Sequence, residues 1–222
     1  MDPQQSIARV VVRPYGSALP LGFFSFGVGM LVLGGIGLGW VHGPDLRVAG
    51  ILLAAFVFPL EFLSATIAFL ARDTAGAASL GMFSTSWLAL GLVHVVSPTG
   101  QRSPAVGLYL VMFGVMVLAL AAASMLGKPL LGILLGIAAT RSFLAGAWEL
   151  GAGHALATVA GATAIAIAAF SVYGGLALLL EDLQQRAVLP ILRTGAAAES
   201  MQGDLEAQLS RVEREAGVRQ QL

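Results

Sequence analysis

Hydrophobic positions in this chain run in long blocks, and polar residues are confined to short interruptions and to the two ends. A segment apolar on every face suits a helix with no water-facing side, and a bilayer core takes ~20 such residues per crossing. Six blocks of that length are separated by "HGPDLR", "ARDTAG", "SPTGQRSP", "GKP" and "ELGAGHA". They predict helical spans over 19–41, 46–70, 77–97, 104–126, 129–150 and 155–180. The fold class is therefore an all-α integral membrane protein with six transmembrane helices. A tail over 1–18 precedes a membrane domain over 19–182, and a second tail over 183–222 follows it. Pro20, Pro104 and Pro129 fall near helix starts, where a missing N–H costs nothing. Pro59 falls inside the second span and predicts a kink with a loosened backbone beside it.

Composition agrees with the pattern, since 57% of residues are hydrophobic and only 11% charged. A formal net charge of +0 leaves no basic footprint for nucleic acid. The chain has no cysteine, so disulfides, thiol nucleophiles and thiolate metal sites are excluded. Its three histidines are scattered and it holds neither H-E-x-x-H nor G-x-S-x-G, so no enzyme, metal or cofactor is expected. Arg9, Arg13, Arg72, Lys128, Arg186 and Arg193 fall on one side of the membrane, with only Arg47 and Arg102 on the other. The positive-inside rule then places both termini in the cytoplasm and the protein in the cytoplasmic membrane. The apolar run from Gly16 to Trp40 is too long for a signal-peptide core and lacks a small-residue cleavage site, so it reads as a retained span.

Within the spans, Gly35 with Gly39 and Gly132 with Gly136 make small-xxx-small pairs suited to close helix packing, and the sixth span "VAGATAIAIAAFSVYGG" is an alanine-glycine ridge. Packing against further copies of the chain is expected from the same ridges. Ionisable groups in the bilayer cost ~2.5–3.5 kcal/mol at the centre even on insertion scales, so the few present are candidates for function. Glu61 sits about 13 Å and Arg141 about 18 Å from one face, counting ~1.5 Å per residue. They are either a buried ion pair locking helix two to helix five or parts of a solute pathway. His94 and Glu149 fall near the opposite rim, within reach of solvent. The stretch "MFSTSW" places the hydroxyls of Ser84, Thr85 and Ser86 beside aromatic rings. Phe26 and Phe83 share a depth of roughly 10 Å, and two aromatics at one level suit a pinch point in a pore.

Four stretches together resemble the acetate uptake transporter family of the bacterial succinate-acetate permease type: "ALPLGFFSFG", "RDTAGAASLGMFSTSWLAL", "VGLYLVMFGV" and "LLLEDLQQRAVLPI". The likeness spans roughly Gly16 to Thr194. It implies a six-helix protomer in a hexameric ring, one pore per protomer, passing acetate and related small carboxylates, with succinate possible, by proton-coupled or channel-like movement. Pro20, Leu21 and Gly22 match the family's first-helix signature, asparagine-proline-alanine-proline-leucine-glycine, while Ser17 and Ala18 replace its asparagine and first proline. Phe26 matches the first aromatic of the family's hydrophobic constriction. Phe83 stands where relatives carry tyrosine, and Ala138 where they carry leucine. Glu61 replaces a glutamine, and Arg141 lies on a helix that is ordinarily uncharged. The implied partners are a small carboxylate, protons, the lipid bilayer and further copies of the chain. The alternative is a urea or short-chain amide channel of the proton-gated urea channel type, whose neutral solutes need no cation in the path. Beyond Thr194, Met201, Leu205, Leu209, Val212 and Ala216 recur at helical spacing and predict either a short helix or a polar tail.

Overall fold

A computed structural model describes residues 16–97, 100–184, 186–192 and 194. The tail positions from Met201 to Ala216 lie outside these. Among the described residues there are six helices long and apolar enough to cross a membrane and no strand. We label them α1 (Leu19–Gly37), α2 (Asp45–Leu70), α3 (Thr74–Val96), α4 (Pro104–Ser124), α5 (Pro129–Glu149) and α6 (Ala155–Gln184). The protein is a multi-pass membrane protein.

The helix ends follow local chemistry more closely than hydropathy. α1 stops at Gly37, short of the expected 41, and Gly39 then turns the chain at φ +76°, a left-handed conformation that glycine adopts without strain. α3 begins three residues earlier than the apolar block because Asp73 caps it, its carboxylate accepting from the Gly76 N–H at 3.0 Å. α6 runs past the apolar block to Gln184, so its 30 residues extend about 45 Å, longer than a hydrocarbon core of about 30 Å. Pro20, Pro104 and Pro129 sit in first turns as expected.

Pro59 has the anticipated effect on α2, in the form of a π-helical turn. Residues Leu53–Val57 form that turn, and the Phe58 N–H reaches back five residues to the Leu53 carbonyl. Proline offers no N–H to the carbonyl four residues earlier and its ring crowds that carbonyl, so a wider turn absorbs the mismatch.

Successive helices pack side by side, and α6 closes back onto α1, giving a six-helix ring in which the α3–α4 seam is the least extensive. Both ends of the described chain lie at one end of the bundle, hereafter the terminal end. Lipid offers no hydrophobic drive to pair helices, so close approach through glycine does that work. A Cβ on Gly37 would stand 2.8 Å from the Gly161 Cα across the α1–α6 seam. A Cβ on Gly50 would stand 2.5 Å from the Gly91 carbonyl oxygen across α2–α3. The glycine pairs expected from spacing are corrected by this geometry. Gly35 faces Val41 of its own following loop, Gly39 is a turn residue, and Gly136 has nothing within 4 Å, which leaves Gly132 alone packed on Ala121 of α4 and on Met125 just beyond that helix. Spacing of four selects a helix face without saying what that face meets.

At the terminal end, Lys128 of the α4–α5 connection pairs with Asp73 of the α2–α3 connection. The segment after α6 folds back there. Tyr173 donates to the Pro190 carbonyl at 2.7 Å, the Thr194 N–H donates to the Gly127 carbonyl at 3.2 Å, and Ile191 is buried.

Candidate functional site

The axis of the ring is blocked at mid-depth by a cluster of aromatic side chains from three helices. Phe26 of α1 meets Phe83 of α3 edge to face at 4.7 Å between ring centroids, and Phe83 meets Phe113 of α4 in the same manner at 5.0 Å. Trp87, one turn beyond Phe83, closes on Phe26 at 5.7 Å. All four rings are buried. Edge-to-face contacts join the positive rim of one ring to the negative face of the next, so the cluster is cohesive without polar atoms.

Two cavities flank this layer. On the terminal side a small one, about 20 Å³, is lined by Gly22, Phe23, Glu61, Ser79 and Leu134, with Phe26 and Phe83 as its roof. On the other side a vestibule of about 770 Å³ opens toward the opposite end, framed by residues of all six helices and holding Arg141, Trp148 and Glu149 of α5. Ala138 is fully buried on α5, one turn from Leu134 of the small cavity and three residues before Arg141 of the vestibule, which puts it at the level of the aromatic layer.

Glu61 and Arg141 are both buried, at 0% and 9% exposure. The ion pair considered from their depths does not form. Glu61 lines the small cavity and Arg141 the vestibule, so the aromatic layer stands between them. Both Glu61 oxygens and the Arg141 Nε are buried without hydrogen-bond partners. Trp87 is the polar neighbour of Glu61, yet its Nε1 is unpartnered as well, so no hydrogen bond closes between them. Depth along a helix gave the level of each charge but not the side of the layer it faces.

The remaining candidates divide. Pro20 and Gly22 are buried at the start of α1, where Gly22 leaves room for Leu80 of α3, and Leu21 is half-buried. Ser84 is buried and donates to the Gly81 carbonyl at 2.8 Å. Thr85 is exposed on the outside of the bundle and donates to the Met82 carbonyl at 3.1 Å. Its expected place on the pathway is therefore corrected, since it turns away from the axis.

Several residues of the site were not anticipated. Phe113 and Tyr109 stand one turn apart on α4 and stack at 5.7 Å, a spacing of four that was readable as one helix face. His94, expected near this rim, is joined there by His42 and His154, so all three histidines line the vestibule. They are far apart in sequence, but every second helix connection lies at the same end of an antiparallel bundle, and counting crossings would have gathered them. His94 lies within Coulombic reach of Arg141. At the rim, Glu149 accepts from the Ser103 N–H at 2.6 Å, and Arg102 stacks over Trp148 at 5.3 Å.

The model of the GPR1/FUN34/yaaH family matches residues 1–193. This chain belongs to that family. The acetate-transporter resemblance carried by the four sequence stretches is thereby borne out. The solved structure of the bacterial acetate channel SatP matches with a TM-score of 0.70 at 20% sequence identity, covering 80% of this chain and 99% of that one. At that identity the likeness carries the fold, a six-helix membrane bundle. No curated protein matches the sequence.

Proposed function

We propose that the protein is a membrane channel or transporter for acetate and related small carboxylates. The observation that carries this reading is the single buried aromatic layer between two cavities on the axis of a six-helix ring, in a chain whose family and fold include an acetate channel. A hydrophobic constriction makes a bare anion shed water at a cost, which favours small, partly apolar acids over inorganic ions. Phe26, Phe83, Phe113 and Ala138 form that constriction, and passage requires the rings to swing aside. Ala138 in place of a larger side chain leaves room for such movement.

Arg141 favours carboxylates over neutral solutes such as urea, because a cation in a water-poor cavity attracts anions strongly. The terminal end faces the cytoplasm, following the positive charges at that end. The protomers assemble as a hexamer, with the exposed apolar faces of α2, α4 and α6 shared between lipid and neighbours. Succinate transport and coupling to protons belong to the same reading. Flux of radiolabelled acetate, succinate, urea and acetamide into liposomes bearing the purified protein tests it. Acetate uptake well above empty liposomes, with little urea or acetamide uptake, is expected, and the reverse preference would replace it with an amide channel.

A further inference from the structure

Two residues lining the vestibule carry buried N–H donors that no described residue satisfies. The Nε of Arg141, on a side chain more than nine-tenths buried, has no acceptor, and neither has the indole Nε1 of Trp148. Both belong to residues lining the same cavity. Buried donors are almost always paired, and leaving one unmade costs about 1–3 kcal/mol, more for a charged group. Two on one wall of one cavity therefore call for a partner that brings acceptors and no donors.

The charges around the vestibule specify that partner further. Among the described residues lining it, Glu149 is the only carboxylate. It stands eight residues from Arg141, roughly 12 Å along the helix, and is engaged by the Ser103 N–H and by the charge of Arg102. Among the described residues Arg141 is thus left as a buried cation with no counter-ion. His94 of α3 lines the same cavity within Coulombic reach of Arg141 and carries a further ring N–H. Trp148 lies two turns nearer the rim, about 10 Å from Arg141 along α5, too far for one carboxylate group to span both. The two donors are successive stations on one wall.

We propose that this vestibule is a carboxylate-binding site, with Arg141 as its deep anchor and Trp148 as a shallower station that hands the anion inward before it meets the aromatic layer. The site deepens the channel reading and takes its substrate class from it, but binding at Arg141 is separable from passage. An arginine fork holds a carboxylate through two parallel N–H donors, which a neutral amide or urea cannot match in charge. The vestibule concentrates the anion, and the aromatic layer then sets the rate at which it passes.

The test measures binding and flux on the same preparation. Protein in lipid nanodiscs is titrated with carboxyl-labelled ¹³C-acetate, with line broadening as the readout and acetamide as the neutral control. Saturable broadening by acetate alone is expected, with affinity at least tenfold weaker in Arg141→Gln, partly restored in Arg141→Lys and a few-fold weaker in Trp148→Phe. Should Arg141→Gln fail to fold, the parent protein answers through mass spectrometry of phenylglyoxal modification at Arg141. Protection by acetate but not by acetamide supports the site, and no protection overturns it. Unchanged affinity in a folded Arg141→Gln variant also overturns it. Acetate binding that needs Arg141 in a protein that passes no acetate through liposomes keeps the site and removes the channel reading. Acetate flux without binding at Arg141 does the opposite.

Discussion

Arg141 and Glu61 illustrate what a single residue in a membrane helix discloses. Each was identifiable as costly from its type and depth alone, because few ionisable groups interrupt the spans. Their relation was not, since depth leaves open the direction in which a side chain points. Separated by the aromatic layer and sharing no partner, they should act independently. In a double-mutant cycle, the effects of Glu61→Gln and Arg141→Leu on thermal stability should add within about 0.5 kcal/mol. A coupling of about 3 kcal/mol or more would mean that the two side chains pair after all. The aromatic layer makes a second residue-scale expectation. Phe83 holds edge contacts to both Phe26 and Phe113, so Phe83→Ala should open the layer, raising acetate flux or admitting larger acids. Ala138→Trp fills the same level from α5 and should reduce flux to background. Parent-like transport in both variants would remove these residues from the path. Phe26 and Phe83 were readable as partners because both sit about seven to nine residues from a helix start at the same end. The hydroxyl of Thr85 suggests a place on the pathway, but the facing of α3 is set by the bulkier Phe83, Trp87 and Leu90 on the buried side.

For the helices, the balance of legible and hidden features is different. Apolar block length gives each span, proline position gives the starts of α1, α4 and α5, and even the perturbation of α2 is written in Pro59. Helix contacts are not written so plainly, because glycine marks a possible approach on any face. Gly91 and Gly136 separate the two cases. A Cβ on Gly91 would meet the Gly50 carbonyl oxygen at 2.7 Å and the Ala54 nitrogen at 3.0 Å, both backbone atoms that cannot step aside. Gly91→Ala should therefore cost about 1–3 kcal/mol and lower the melting temperature in detergent. Gly136→Ala meets nothing within 4 Å in the protomer and gains helix propensity, so it should be neutral or stabilising by up to about 1 kcal/mol. A stability loss at Gly136 in the assembled protein but not in separated protomers would place that face of α5 at a subunit interface.

At the scale of the whole molecule, the six-helix ring has a polar feature at each end and an apolar middle. The terminal end is tied by the Lys128–Asp73 pair and the returning segment with buried Ile191, while the opposite end widens into the vestibule. Large apolar side chains such as Phe56, Phe62, Phe69 and Leu108 are exposed on the outside, as a bilayer or a neighbouring protomer requires. Native mass spectrometry in mild detergent should find six copies, and a stable monomer would contradict the hexamer. Sequence alone reached the number of spans and the family, since hydropathy and the four signature stretches are local. The vestibule is built from all six helices, so no local pattern contains it. The proposed path for small carboxylates runs through this vestibule and the aromatic layer, and liposome flux tests it. Purified protein should take up acetate saturably while excluding urea and acetamide, with the Phe83→Ala variant faster than the parent and Ala138→Trp closed. Equal passage of acetate and urea, or no acetate uptake by correctly assembled protein, would contradict the account.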